Sequence, residues 1–272
     1  MSDIKIRNVY KIFGGKTQKA LELAKSGIDK AEILRQSGAS VGLNDVSLDI
    51  PSGEIFVIMG LSGSGKSTLV RHINRLIEPT AGEIYHGETN IVGLNRKELR
   101  AFRMHKVSMV FQSFGLEPHR TVLQNATYGL RVRGTPREEA DKVGLDWIRT
   151  VGLEGYQHKY PAELSGGMKQ RVGLARALAA GTDLVLMDEA FSALDPLIRA
   201  DMQDQLLQLQ TNLHKTIVFI THDLEEALHI GNRIAILKDG KVVQTGTPDE
   251  ILNHPADDYV ARFVKGRNRA YA

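Results

Sequence analysis

The most informative segment of this sequence is Gly60-Leu61-Ser62-Gly63-Ser64-Gly65-Lys66-Ser67-Thr68, which fits the pattern G-x-x-x-x-G-K-[ST]. It follows the strand-like apolar run Ile55–Met59 and precedes residues 68–76, which predict a helix, as the pattern requires. Glycines let the backbone curl so that several N–H groups point at one phosphate, and the next helix N-terminus adds a positive dipole end. Lys66 supplies a cation to the β- and γ-phosphates, and the Ser67 hydroxyl is placed to ligate Mg²⁺. The segment therefore predicts nucleotide binding, without separating a kinase, a GTPase and a transporter ATPase.

Composition and charge exclude several classes of protein. The 272 residues are 42% hydrophobic and 25% charged, which is typical of a globular protein with its own core. There is no Cys, so disulfides and thiolate metal sites are excluded and a reducing compartment is favoured. The net charge of +3 is too small to indicate nucleic acid as a partner. The apolar runs are strand-sized and residues 1–11 lack the apolar core of a signal peptide, so we expect a cytoplasmic protein.

Alternating strand-like and helix-like runs predict an α/β fold. Residues 4–10 alternate in polarity like a strand, although Arg7 and Asn8 weaken the pattern. Residues 121–162 carry many charges and read as helical, which indicates an inserted helical subdomain. Because strands alternate with helices, we expect a parallel sheet covered by helices. The other runs that predict strands are residues 43–50, 107–111, 184–187, 216–220, 233–237 and 241–244.

A helical segment separates the first two strand-like runs. Residues 16–40 are rich in Ala, Leu, Lys and Glu, and they predict two short helices that break near Gly27. Asp29 is suited to cap the second helix, with Glu32 three residues later and Gly38 just past the helix end. We therefore expect a helical insert over approximately residues 16–41.

An acidic pair follows another strand-like run. Residues 184–187 are apolar, and Asp188 and Glu189 come directly after them. A carboxylate at the C-terminal end of a buried strand lies beside the Mg²⁺ of a phosphate loop, which makes Asp188 the candidate metal ligand. Glu189 is one residue further and points elsewhere, so it is the candidate base for the attacking water. Taken alone, such a pair is often only a turn.

The segment Leu164-Ser165-Gly166-Gly167-Met168-Lys169-Gln170 offers a second helix N-terminus suited to anions, because residues 168–179 after it read as helical. One nucleotide seldom needs two such ends from one chain. The segment resembles the signature motif of ABC ATPases. This resemblance implies that two copies pack head to tail, with each ATP between the phosphate loop of one copy and Ser165, Gly166 and Gly167 of the other.

Other residues match the ABC ATPase pattern in the expected order. Gln112 resembles the glutamine of the Q-loop, Ser192-Ala193-Leu194-Asp195 resembles the D-loop, and His222 resembles the switch histidine. Phe13 stands where the family has an aromatic that stacks on adenine, with Tyr10 as the rival. The resemblance implies a P-loop NTPase (RecA-like) core with a parallel sheet, N-terminal antiparallel strands and a helical subdomain over approximately residues 114–163. It implies one ABC ATPase domain over residues 1–272, with ATP and Mg²⁺ as cofactors.

The resemblance also assigns roles. The expected catalytic residues are Glu189, His222, Lys66 and Gln112, and the expected Mg²⁺ ligands are Ser67, Gln112 and Asp188. Each has a simpler alternative: a solvent-facing histidine, a surface-loop glutamine, or, for Asp195, a helix cap. The residues expected to bind the nucleotide are Phe13, Gly60, Leu61, Ser62, Gly63, Ser64, Gly65, Lys66, Ser67, Thr68, Gln112, Ser165, Gly166, Gly167, Asp188 and Asp195.

The helical insert limits the resemblance to one group of ABC ATPases. Ordinary ABC cassettes join the first strand to the next through a short turn, whereas this chain resembles the ATPases of glycine betaine/L-proline/quaternary amine importers, a group that also takes up choline or histidine. Gly115 and Glu117 depart from that pattern, because relatives carry apolar residues there, in the region that faces the membrane subunit. We therefore expect partner choice to differ. The match to this group is carried by residues 56–68, 74–80 and 187–199.

This resemblance implies ATP-driven solute import. The expected partners are a second copy of the chain, transmembrane permease subunits and, indirectly, a periplasmic or tethered substrate-binding protein, with no nucleic acid. The expected location is the cytoplasmic face of the membrane, as a peripheral subunit. The sequence continues only briefly past Phe263, without the paired CBS domains of several osmoregulatory relatives, which predicts a short form without steep activation by ionic strength. The rival is a non-transport ABC ATPase acting on ribosomes or DNA, a class that usually has two cassettes or long coiled coils.

Overall fold

The computed structural model of the chain describes residues 2–192 and 194–270. The chain divides into two units, Met1–Arg96 with Ile220–Ala272, and Lys97–Phe219. The strands are β1 (Ile4–Phe13), β2 (Ser40–Ile50), β3 (Ile55–Met59), β4 (Ala81–His86), β5 (Thr89–Asn90), β6 (Val107–Val110), β7 (Leu184–Asp188), β8 (Thr216–Thr221), β9 (Arg233–Lys238) and β10 (Lys241–Gly246). The helices are α1 (Thr17–Lys25), α2 (Lys30–Ser37), α3 (Lys66–Ile73), α4 (Arg96–His105), α5 (Val122–Ala126), α6 (Tyr128–Val132), α7 (Arg137–Thr150), α8 (Gly166–Ala179), α9 (Pro196–Leu213), α10 (Leu224–Ile230), α11 (Pro248–Asn253) and α12 (Asp258–Ala270), with a 3₁₀ turn at Pro161–Glu163.

The first unit contains a four-stranded antiparallel sheet in the order β2-β1-β4-β5. The pairing of β1 with β2 ends where Phe13 lies opposite Ser40. The register shifts after Ile6, where Asn8 has φ 46° and its side-chain amide donates to Asp45 Oδ1 at 2.9 Å. The polar residues that weaken the strand pattern therefore lie at a bulge within one continuous strand.

The helical insert between β1 and β2 consists of α1 and α2, as predicted. Asp29 caps α2 by accepting hydrogen bonds from the backbone N–H groups of Ala31 at 2.9 Å and Glu32 at 3.1 Å. Gly38 ends the helix in the left-handed region with φ 67°, as predicted, while the Glu32 side chain pairs with Arg35. The insert packs on the sheet through a buried apolar cluster of Tyr10, Ile12, Ala20, Leu21, Ala24, Ile33, Ala39 and Val41.

Parallel strands lead into the candidate site residues in each unit. In the first unit β3 is buried along its whole length and runs parallel to β9, with Val57 opposite Ile234, and β10 is antiparallel to β9. In the second unit β6 runs parallel to β7, with Val110 opposite Met187, and β8 is the other neighbour of β7. Fully buried parallel strands are typical of sheets covered by helices, so the predicted α/β class is confirmed.

The structure adds elements that the sequence pattern did not predict, namely β4, β5 and the helices α4, α10, α11 and α12. Within the described part of the chain, residues 114–163 contain α5, α6 and α7 and no strand. None of the helices in residues 2–192 and 194–270 is long and apolar enough to cross a bilayer. The predicted domain boundaries, including the single domain over residues 1–272, stay predictions.

Candidate active site

The phosphate loop joins β3 to α3 in the first unit. Gly60 has φ 152°, and a Cβ on it would lie 2.2 Å from the carbonyl oxygen of Leu237 in β9. Gly65 is the N-cap of α3 with φ 103°, and a Cβ there would lie 2.8 Å from the carbonyl oxygen of Gly42 in β2. These two positions require glycine, because they bring the loop against the backbones of two neighbouring strands.

The lysine of the loop lies inside it. Lys66 is only 5% exposed, and its Nζ donates to the carbonyl oxygens of Gly60 at 2.9 Å and Leu61 at 3.2 Å. The Ser64 Oγ is buried and has no hydrogen-bond partner within the described residues. An unsatisfied buried hydroxyl destabilises a loop on its own, so this arrangement of hydroxyl, ammonium and helix N-terminus fits an anionic phosphate. The other residues of the loop are exposed (Leu61, Ser62, Gly63) or half-buried in the first turn of α3 (Ser67, Thr68).

The two candidate adenine platforms differ in exposure. Phe13, at the end of β1, is 41% exposed, and Lys11 Nζ lies 5.0 Å from its ring centroid. Its ring edge crosses Gly42 so closely that a Cβ there would lie 2.6 Å from Phe13 Cε2. Tyr10 is 7% exposed and belongs to the buried cluster under the insert. An aromatic face must be accessible to stack on a base, so the geometry favours Phe13 over Tyr10.

The acidic pair lies at the C-terminal end of β7 in the second unit. Asp188 is the last strand residue and is 2% exposed. Glu189 follows with φ 47°, a left-handed conformation that is strained for a residue with a side chain. The Ser192 hydroxyl donates to the Glu189 carbonyl oxygen at 2.9 Å, which holds this turn. The turn gives the two carboxylates different positions, as the separate roles predicted for them require.

Gln112 and Glu189 meet in the second unit. Gln112 lies just after β6, which is parallel to β7, so both residues leave the carboxyl ends of neighbouring strands. The Gln112 Nε2 donates to Glu189 Oε2 at 3.2 Å. The carboxylate therefore has one oxygen bonded to an amide while both residues stay partly or fully accessible to water. That geometry suits a base that must receive a proton from water.

The signature-like segment leads into α8, which begins at Gly166, two residues earlier than predicted. Ser165 is the N-cap of α8, and its hydroxyl accepts a hydrogen bond from the Met168 N–H at 3.3 Å. Gly167 packs so tightly that a Cβ would lie 2.9 Å from Ile198 Cγ2, whereas Ser165 and Gly166 are exposed. Gln170 is 1% exposed, and its two side-chain amide atoms have no partner within residues 2–192 and 194–270. The N-terminus of this 14-residue helix is exposed and therefore open to an anion.

The remaining candidate site residues lie in loops that connect a strand to the following helix. Asp195 occupies the N-cap position of α9, but its side chain makes no capping hydrogen bond, so the helix-cap alternative is not supported by its contacts. Ala193 lies outside the described residues. His222 follows β8 with an exposed side chain, and the next residue, Asp223, caps α10 by accepting from the Glu225 N–H at 2.9 Å.

Sequence reasoning missed one residue that supports the segment after Gln112. Arg176 in α8 donates to the carbonyl oxygens of Gly115 at 2.5 Å and Phe114 at 3.1 Å, and those residues have left-handed φ angles of 56° and 62°. Burial lowers the pKa of the Arg176 guanidinium, while nearby Glu117 opposes that shift. The guanidinium thus holds a turn in which Phe114 has a left-handed backbone conformation, strained for a residue with a side chain. No motif marks Arg176, because it lies inside an ordinary helical run.

Residues 43–192 match the family model described as ABC transporter, which covers more than half of the chain. The chain therefore belongs to the ABC transporter family of ATP-binding proteins. It is 57% identical over 262 residues to the glycine betaine transport ATP-binding protein OpuAA of Bacillus subtilis, covering 96% of this chain and 63% of that protein. It is 58% identical over 263 residues to the glycine betaine/proline betaine transport protein ProV of Escherichia coli, covering 97% and 66%. The chain spans about two thirds of the length of these relatives.

More distant comparisons agree with the fold. The trimethylamine N-oxide transport ATP-binding protein TmoW of Pelagibacter ubique is 48% identical over 267 residues, covering 97% of this chain and 78% of that protein. A dimeric, post-hydrolysis structure of the ATP-binding cassette MJ0796 bound to ADP and Pi superposes with a TM-score of 0.75 at 33% identity. That match covers 90% of this chain and 98% of the cassette. The predicted α/β cassette fold is confirmed.

Proposed function

We propose that this chain is the ATP-hydrolysing subunit of an importer for a quaternary amine or related compatible solute, of the betaine, choline, proline or histidine type. The observation that carries the proposal is identity of 57–58% to glycine betaine transport ATP-binding proteins over nearly the whole chain, helical insert included. The rival is a non-transport ABC ATPase acting on ribosomes or DNA, and neither the relatives named above nor the described residues favour it.

ATP binding is assigned to the first unit. The phosphate loop and Lys66 hold the phosphates, Ser64 offers its buried hydroxyl, and Phe13 stacks on adenine. Support comes from the burial of Lys66 within the loop and from the exposed ring of Phe13. Ser67, Asp188 and Gln112 would hold Mg²⁺, because hydroxyl, carboxylate and amide oxygens are the ligands this ion prefers. When bound, Mg²⁺ neutralises charge on the phosphates.

Hydrolysis is assigned to Glu189. Its carboxylate takes a proton from the attacking water, and Gln112 orients it through the 3.2 Å hydrogen bond. Lys66 and His222 stabilise the charge that develops on the γ-phosphate. The exposed position of His222 directly after β8 leaves its imidazole accessible to a ligand.

A second copy of the chain supplies the other half of each site. Ser165, Gly166 and Gly167 bind the ATP held by the phosphate loop of the partner copy, with Asp195 near the junction. The exposed N-terminus of α8 supports this assignment, because it can bind an anion. The ATP of the same chain is already held by its own phosphate loop, so the anion at α8 would be the ATP of the partner copy. Closure of the pair around ATP and its reopening after hydrolysis would drive the transport cycle.

The membrane partners are permease subunits, with a periplasmic or tethered substrate-binding protein delivering the solute. The chain would work at the cytoplasmic face of the membrane as a peripheral subunit. The segment around Gly115 and Glu117, held by Arg176, is the candidate contact region for the permease.

Reconstitution tests the function. The chain is co-expressed with the integral membrane subunits that co-purify with it, and the complex is placed in proteoliposomes with its binding protein and labelled glycine betaine. We expect ATP-driven uptake that is lost in Glu189→Gln and kept in Glu88→Gln, an exposed carboxylate in the β4–β5 turn. Failure to co-purify with any membrane protein, together with ATPase activity stimulated by ribosomes or DNA, would establish the rival.

A further inference from the structure

A cavity of about 590 Å³ in the first unit has no part in the mechanism above. It lies between the turn that separates α1 from α2 and the hairpin that joins β9 to β10, with Asn44 of β2 also in its lining. Small-molecule sites typically have volumes of about 300–1,000 Å³. The insert provides one wall of the cavity, through the turn between its two helices and the start of α2.

The charged groups of the cavity favour an anion. Lys30, Lys238 and Lys241 come from three positions around it, together with the carboxylates of Asp29 and Asp239. The Asp29 carboxylate is engaged as the cap of α2, where it accepts two backbone hydrogen bonds. Burial lowers the pKa of the Lys30 ammonium, while Asp239 opposes that shift, so this ammonium is partly dehydrated and close to one carboxylate. Partial dehydration strengthens the attraction between an ammonium and an anion that replaces water.

Asn44 contributes a polar side chain to the wall of the cavity. The residue is 5% exposed, and its backbone N–H donates to the Gly240 carbonyl oxygen at 2.8 Å. Asn44 also lines the cavity, where its side-chain amide adds a hydrogen-bond donor and acceptor to the ammonium groups.

The wall of the cavity also supports the phosphate loop. Gly240, at the tip of the β9–β10 hairpin, donates its N–H to the Ser64 carbonyl oxygen at 2.9 Å and accepts from Asn44. The tip is wedged so closely that a Cβ on Gly240 would lie 2.6 Å from the carbonyl oxygen of Gly42. A ligand that moves Asp239 or Asn44 therefore acts on residues directly bonded to the support of the loop.

We propose that this cavity binds a phosphate monoester through Lys30, Lys241 and Asn44, and that occupancy changes the affinity of the phosphate loop for ATP through Gly240. A phosphate monoester carries more than one negative charge near neutral pH and offers several oxygens to ammonium and amide donors. The phosphate monoester competes with Asp239 for Lys30, and this competition couples its binding to the β9–β10 hairpin. Binding of the ester is independent of the proposed function, whereas its effect on ATP affinity rests on the proposed function.

Binding is tested with sn-glycerol 3-phosphate, titrated calorimetrically into the full chain with and without saturating Mg²⁺ and a non-hydrolysable ATP analogue. We expect binding in both states, with affinities that differ by the same factor, at least 2-fold, by which the ester changes the affinity for ATP. Binding should be at least 10-fold weaker in the double variant Lys30→Gln/Lys241→Gln and at least 3-fold weaker in Asn44→Ala. The matched control is Lys142→Gln, which removes an exposed lysine of α7 and leaves binding unchanged. Equal affinity in the double variant, or competition by the ATP analogue, overturns the site.

The source of the phosphate is tested with vesicles of phosphatidylcholine with and without phosphatidic acid. Retention on the acidic vesicles that is lost in Lys30→Gln/Lys241→Gln assigns the site to a lipid headgroup, and binding of the dissolved ester alone assigns it to a free metabolite. Binding of neither probe overturns the proposal.

Regulation is tested by the affinity for a fluorescent Mg²⁺-ATP analogue at saturating glycerol 3-phosphate. We expect at least a 2-fold change in the parent and none in the double variant. An unchanged affinity in the parent overturns the regulatory part. Absence of nucleotide binding even without the ester contradicts the proposed function instead, and leaves the cavity to its own binding test.

Discussion

Replacing Glu189 by Gln removes the proposed base with little change in shape. Gln112 Nε2 donates to Glu189 Oε2 at 3.2 Å, and the substituted amide can present its oxygen to the same donor, so the local arrangement is kept. The loss should then reflect proton transfer alone, which contributes about 10²- to 10⁴-fold, or roughly 2.7–5.5 kcal/mol of transition-state stabilisation. Binding of Mg²⁺-ATP should persist, and an ATP-bound dimer should accumulate.

Gln112→Ala provides the internal comparison for that prediction. Its hydrogen bond to Glu189 is long for an N–H···O contact, so removing it should lower turnover only about 2- to 10-fold. In the double variant the part of the Gln112 effect that acts through Glu189 should vanish, because orienting a base matters only when the base is present. The assay is phosphate release at saturating Mg²⁺-ATP, with Glu88→Gln as the control. Turnover near the parent rate in Glu189→Gln refutes the assignment of Glu189 as the base. A loss in Gln112→Ala beyond about 10-fold would instead reflect its second proposed role, as a ligand of Mg²⁺.

Three further predictions concern the partner copy, the adenine and pH. Mixing subunits that carry Lys66→Ala with subunits that carry Ser165→Arg should restore part of the ATPase activity, because one site of the mixed dimer is intact; full activity of either variant as a monomer would contradict action across the dimer. Phe13→Ala should weaken ATP binding about 5- to 100-fold, since base stacking contributes about 1–3 kcal/mol, yet leave binding of inorganic tripolyphosphate unchanged, as measured by calorimetry. Burial lowers the pKa of His72 from 6.5 to about 4, and its Nδ1 lies 2.6 Å from the Thr68 carbonyl oxygen. Because the unfolded chain gains the proton first, the free energy of unfolding should fall by about 2 kcal/mol between pH 7 and pH 5, and His72→Leu should flatten that part of the urea-denaturation profile.

Sequence reasoning succeeded where the determinants are contiguous. The Asp29 cap and the Gly38 stop of the insert are local signals, and each has the predicted geometry in the structure. The phosphate loop lies between a buried strand and a helix for the same reason: glycines, a lysine and a hydroxyl at fixed spacing have few other uses. The roles of these residues in binding and catalysis are chemical assignments and stay predictions.

What the sequence did not indicate depends on residues that are distant along the chain. Arg176 donates to the carbonyl oxygen of Gly115, which lies 61 positions earlier in the chain. Gly240 donates to the carbonyl oxygen of Ser64, which belongs to a distant segment of the first unit. β4 was missed because only Ile84 and His86 of its six residues are buried, so its pattern is too weak to distinguish from a loop.

The cavity beside the insert is the clearest case of information that only tertiary structure contains. Lys30, Asn44 and Lys241 belong to three separate segments, and none of them lies in a motif. On the sequence Lys30 is one more helix-initial lysine, and Asn44 is a polar residue in an alternating strand, where it would be expected to face solvent. In the structure Asn44 is instead buried and lines the cavity together with the turn between α1 and α2. The insert thus lines a cavity whose other wall, the β9–β10 hairpin, bonds to the phosphate loop through Gly240, and this placement is the physical reason to expect that the insert acts on ATP affinity.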